Sequence, residues 1–139
     1  MKLSILTLAF VILATLPQAF AMEHTTKTAH NPAVTAVMFF STHCGSCKIL
    51  DPRMKEALAT VEEGKIDVVT FDFTNKDKIA ATKTLAAEKG LDSVLQKFGA
   101  RTGFVALVDK EGNVTDKINV SDDTAEIIAK LNKAIASAS

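Results

Sequence analysis

Val34 to Phe40 (Val-Thr-Ala-Val-Met-Phe-Phe) is a short, β-rich run that is apolar nearly throughout. A strand of that kind has no solvated face, so it belongs in the centre of a sheet that is buried on both sides. The residues after it narrow the choice. Ser41-Thr42-His43 leads into Cys44-Gly45-Ser46-Cys47, and beyond Cys47 the residues Leu50, Met54, Leu58 and Val61 recur at spacings of three or four. That stripe predicts a helix packed on one face. Pro52 lies inside it and is expected to kink the helix, because it lacks an N–H and crowds the preceding turn. Gly64 is expected to end it.

The rest of the chain extends the alternation. Ile66 to Phe73 is β-branched and alternating, and reads as a second strand. Lys76 to Lys89 is Ala-rich and charged, with Ile79 and Leu85 on its apolar side. Gly90 interrupts it, and a shorter helical piece carries Leu91, Val94, Leu95 and Phe98. The region from Lys76 to Phe98 reads as a packed, solvated helix pair. Phe104 to Val108 is a third strand, Asp109 to Asn113 is turn chemistry with Gly112 suited to a positive φ, and Val114 to Val120 pairs back. Ser121, Asp122 and Asp123 are N-cap candidates for a last helix that buries Ile127, Ile128, Leu131 and Ile135. The order β-α-β-α-β-β-α predicts an α/β fold: parallel pairing early, across helical crossovers, and an antiparallel pair at the end.

The 139 residues, 47% of them hydrophobic, suit one domain with a real core. The formal net charge is zero and the two signs are interspersed, which argues against a nucleic-acid partner and names no other. The N-terminus speaks to compartment. Lys2 precedes the apolar run Leu3 to Leu16, Pro17 breaks it, and Ala19-Phe20-Ala21 places small residues where a signal peptidase reads. Residues 1–21 therefore read as a signal peptide cleaved after Ala21, and the chain is expected in a periplasm, where disulfides form and persist. Were the signal uncleaved, it would serve as a membrane anchor, although the run is short for a span. Residues 22–33, with His24 and His30, read as a flexible polar lead-in, and residues 34–139 as the folded domain.

The two cysteines are the only ones in the chain. A bridge between them would close a tiny loop and constrain the unfolded chain very little, so structural stapling explains them poorly. Placed at i and i+3 where a strand runs into a helix, they share one helical face at a separation a disulfide can span. Cys44 would occupy the helix N-terminus, where unpaired N–H groups and the positive end of the helix dipole favour a thiolate. It is the expected nucleophile; Cys47, one turn further in and more buried, is the expected resolving thiol. Gly45 and Ser46 are small enough for the turn, and Ser46 is placed to donate a weak hydrogen bond toward a sulfur. Zinc would need two further ligands, and covalent haem attachment would need a histidine after the second cysteine rather than before the first.

Ala36 to Lys48, with Pro52 five residues past Cys47, resembles the active-site strand, motif and helix of the thioredoxin superfamily. Thr102 to Gly112 is similar to the segment carrying that family's third strand and its turn. The resemblance spans essentially the whole chain after the leader. It implies a thioredoxin fold with a central mixed four-stranded sheet flanked by helices, and disulfide exchange with protein thiols or disulfides. No bound cofactor is implied, only a redox partner that resets the pair. The departures concern the site. His43 stands where thioredoxins have Trp, Gly45-Ser46 where they have Gly-Pro, Met38 where a buried Asp accepts the resolving thiol's proton, and Gly103 where a cis-proline faces the disulfide. Gly103 is expected to leave its backbone unfixed, with Thr102 beside it facing the sulfurs. A protonated His43 would favour the Cys44 thiolate; as a mere surface replacement for an aromatic it would do little. Two other functions stay open: a soft-metal module holding Cu(I) through Cys44, Cys47 and His43, and a non-catalytic accessory domain.

Overall fold

The computed structural model describes residues 32–138; the leader, its cleavage site and the histidines of the lead-in lie outside them. Four strands and four helices follow one another: β1 (Val34–Phe40), α1 (Gly45–Leu58), β2 (Ile66–Asp72), α2 (Lys76–Lys89), α3 (Asp92–Phe98), β3 (Phe104–Val108), β4 (Val114–Asn119) and α4 (Thr124–Ser137). The sheet order is β2-β1-β3-β4. β1 pairs parallel with β2 and antiparallel with β3, and β3 pairs antiparallel with β4. This is the mixed four-stranded sheet that the element order implies, with the apolar β1 inside it.

Alternate residues of the strands feed two cores. Val34, Ala36, Val105, Leu107 and Ile118 face Leu50, Met54 and Ala57 of α1 and Ile127, Leu131 and Ala134 of α4. Val37, Phe39, Val69, Phe71, Phe104 and Ala106 face the other way, against Ala86, Leu91 and Val94. Phe39 sits at the centre of this second core, stacked on Phe104 at 4.5 Å and edge-on to Phe71 and Phe98 at 5.4 Å. Such ring pairs add to what their buried area contributes.

The departures from the sequence-based expectations are local. α1 ends at Leu58, short of Val61 and Gly64. Thr60 ends it: its N–H and its hydroxyl both donate to the Ala57 carbonyl, at 3.1 and 2.7 Å, which competes with continued helix. Val61 still packs on the first core, from the turn rather than from the helix. Pro52 lies inside α1, as the sequence places it. On α2 the buried line is Thr82 and Ala86, with Ile79 and Leu85 half-buried. β2 and β4 each stop one residue early, at Asp72 and Asn119. Of the three cap candidates Asp123 is the N-cap of α4, in a capping box with Glu126. Gly112 has a φ of +84° in the β3–β4 turn, as that turn requires. Among the described residues, no helix is long and apolar enough to cross a membrane.

Candidate redox site

β1 and β2 run in parallel and end together, Phe40 opposite Asp72. The chain leaves β1 through Ser41-Thr42-His43 and turns into α1, so the cysteines lie just beyond the carboxyl ends of parallel strands. Crevices at such ends are where open α/β sheets bind ligands. Cys44 is the N-cap of α1, with φ −86° and ψ 111°. Its Sγ accepts the N–H of Cys47 at 3.1 Å. The first turn of α1 carries no acidic residue that would oppose negative charge there. When the pair is reduced, the same N–H and the helix terminus favour a Cys44 thiolate.

Cys44 and Cys47 form a disulfide, with their Cα atoms 5.3 Å apart. The two sulfurs are in unequal surroundings. Cys44 is half-buried, whereas Cys47 is 3% exposed. Cys47 Sγ lies 3.7 Å from the carbonyl oxygen of Phe39. On reduction the Cys47 thiol is placed to donate to that carbonyl. No titratable side chain hydrogen-bonds Cys47 among the described residues. Met38, in place of the family's carboxylate, is half-buried against the first core.

Gly103 is buried and its backbone is held: φ is +92°, its N–H donates to Phe39 O at 2.9 Å, and the bond before it is trans. A Cβ built on it would fall 2.9 Å from Ser46 Cβ and 3.3 Å from Cys44 Sγ. Glycine is demanded here twice, by the left-handed backbone and by the approach of the disulfide loop. Thr102 is half-buried beside it and its side chain makes no hydrogen bond among the described residues. Gly45 is exposed and Ser46 half-buried. No hydrogen bond from Ser46 to a sulfur is formed; its Cβ and Oγ pack toward Gly103.

His43 is exposed, with Nδ1 3.4 Å from Thr42 Oγ1 and its N–H donated to Ser41 Oγ at 3.3 Å. Among the described residues no three His, Cys, Asp or Glu side chains are grouped to hold a metal ion. Sequence reasoning missed the Phe39 carbonyl and the side chain of Thr74, which reaches the loop before Cys44 and is backed by the Asp72 carboxylate. A backbone acceptor leaves no mark in a sequence. Asp-Phe-Thr at a strand end signals a turn, but not a contact 32 residues away.

The fold and the paired cysteines at the head of α1 define a thioredoxin-type protein with a redox-type cysteine pair. The chain belongs to the thioredoxin family, whose model matches residues 18–87. No curated protein matches it.

Proposed function

We propose that this chain is an exported thiol–disulfide oxidoreductase acting on protein thiols or disulfides, with Cys44 the nucleophile and Cys47 the resolving thiol. The observation that carries the reading is the inequality of the two sulfurs: one half-buried at a helix N-terminus, the other buried under a carbonyl. Acting as a reductant, the Cys44 thiolate attacks a substrate disulfide and expels one substrate thiolate, giving a mixed disulfide. Cys47 then loses its proton and attacks Cys44 Sγ, so the second substrate sulfur leaves and the Cys44–Cys47 bond forms. Acting as an oxidant, the same steps run backwards and the substrate dithiol is oxidised. Either direction needs a redox partner to reset the pair. The apolar run Leu3 to Leu16 with Ala19-Phe20-Ala21 supports export to a periplasm.

The deciding experiment is equilibration of the chain from Met22 onward with glutathione buffers, quenched by thiol alkylation. A potential near about −120 to −180 mV marks an oxidant or isomerase, and one near about −270 mV a reductant. A pair that does not cycle overturns the reading in favour of soft-metal binding through Cys44, Cys47 and His43 or an accessory domain. In parallel, Cys47→Ser is expected to trap mixed disulfides with substrates through Cys44, and Cys44→Ser to abolish exchange.

A further inference from the structure

Three backbone N–H groups hold the loop that delivers Cys44. His43 N–H goes to Ser41 Oγ at 3.3 Å and Cys44 N–H to Ser41 O at 3.1 Å, both within the loop. The third, on Thr42, is the only one of the three bonded from outside it: it donates to Thr74 Oγ1 at 3.1 Å. That hydroxyl is itself committed. Its own proton goes to Asp72 Oδ1 at 2.5 Å, and the same oxygen accepts Thr74 N–H at 2.9 Å. A hydroxyl whose single proton is taken by a carboxylate can face Thr42 only as an acceptor, and the carboxylate's charge strengthens it in that role. Asp72 in turn is anchored. Its N–H donates to the hydroxyl of Thr82 at 2.9 Å, and that hydroxyl donates back to Asp72 O at 3.1 Å. Thr82 is 3% exposed on α2.

We infer that Thr74, backed by Asp72, is a positioning residue for the redox pair, an inference that rests on the function proposed above. It sets the path by which the chain enters α1. That path determines whether Cys44 Sγ lies on the Cys47 N–H, the contact that stabilises the thiolate. Loss of the Thr74 hydroxyl loosens the loop, weakens that contact, raises the free energy of the Cys44 thiolate and makes the couple less oxidising.

The test compares wild type, Thr74→Val, Thr74→Ser and Asp72→Asn in the chain from Met22 onward. Two quantities are read: the rate of Cys44 alkylation by iodoacetamide at pH 7, and the reduction potential. Thr74→Val is expected to slow alkylation roughly three- to tenfold, through a smaller thiolate fraction, and to move the potential more negative. Thr74→Ser is expected to restore both. Asp72→Asn, which keeps an acceptor but removes the charge, is expected to shift both in the same direction by less. Should Thr74→Val fail to fold, Asp72→Asn decides: a slower rate supports the inference and an unchanged one overturns it. A folded Thr74→Val with wild-type rate and potential overturns it too. The alkylation comparison stands without any protein substrate, so a wild type that never exchanges disulfides sinks the proposed function while leaving this measurement readable.

Discussion

Gly103 shows how much of a redox site can depend on an atom that is absent. With φ at +92° and the disulfide loop pressed against the place a Cβ would take, Gly103→Ala meets backbone strain and a clash at once. A left-handed backbone at a non-glycine residue costs on the order of 1–3 kcal/mol, and the clash adds to it. The expected result is a lower urea midpoint with an unchanged slope, together with slower disulfide exchange. Ser46 supplies the closest atom, at 2.9 Å, so Ser46→Gly in the Gly103→Ala background is expected to recover part of the loss. The strained φ remains, and recovery should be incomplete. If Ser46→Gly recovers nothing, the clash is not the cause. The position of the paired cysteines was legible in the sequence because a strand running into an amphipathic helix already places them. The crowding at Gly103 was not legible, since a residue without a side chain discloses nothing about the neighbours that forbid one.

Helix α1 must be held still for its N-terminus to act as a site, and its far side is tied to the turn before α4. Arg53 Nη1 donates to the carbonyls of Val120 and Asp122, each at 2.9 Å. The Asp122 carboxylate accepts Lys130 Nζ and the N–H of Asn119, each at 2.7 Å. Burial alone would raise the pKa of Asp122, but the Lys130 hydrogen bond, the Asn119 N–H and the Lys130 charge outweigh it and hold the carboxyl below its ordinary value. Its folded pKa is thus depressed relative to the unfolded chain. The stabilisation is present above the ordinary carboxylate range of about 4 and is lost as pH falls through the folded value. Urea midpoints at neutral pH and at about pH 3 are expected to converge for wild type and Asp122→Asn. A gap as wide in acid as at neutrality would show that the charge of Asp122 is not what stabilises this turn. Strands and helices were legible here because their periods are strong, and the capping box was foreshadowed by three polar candidates in a row. Helix ends were less so: Thr60, not Gly64, closes α1, and a hydroxyl that captures a carbonyl has no periodic signature.

At the scale of the molecule, one sheet separates two cores, and Phe39 joins the second core to the site through its ring on one side and its carbonyl on the other. Truncating a buried Phe costs about 3–5 kcal/mol, a large share of the roughly 5–15 kcal/mol typical of a domain. Phe39→Ala is therefore expected to lower the melting temperature severely and Phe39→Leu moderately; equal effects would mean that the site can collapse around the void. The fold as a whole was legible because β1 has no polar face and the connections leave few topologies. The sheet's second consequence was not, because which backbone carbonyl lies under Cys47 depends on three-dimensional register. The Cys44–Cys47 bridge closes a ring of only four residues inside this framework, so breaking it frees less chain entropy than opening a long loop would. Folding and reduction then form a closed thermodynamic square. The difference in stability between the oxidised and reduced protein equals the difference between the couple's potential in the folded chain and in the unfolded one, at about 1.4 kcal/mol for every 30 mV. A reduced form that melts higher than the oxidised one means that the native structure pulls electrons onto its sulfurs, and one that melts lower means that it pushes them away. Two melting curves, with no substrate present, thereby read how the fold biases the flow of electrons.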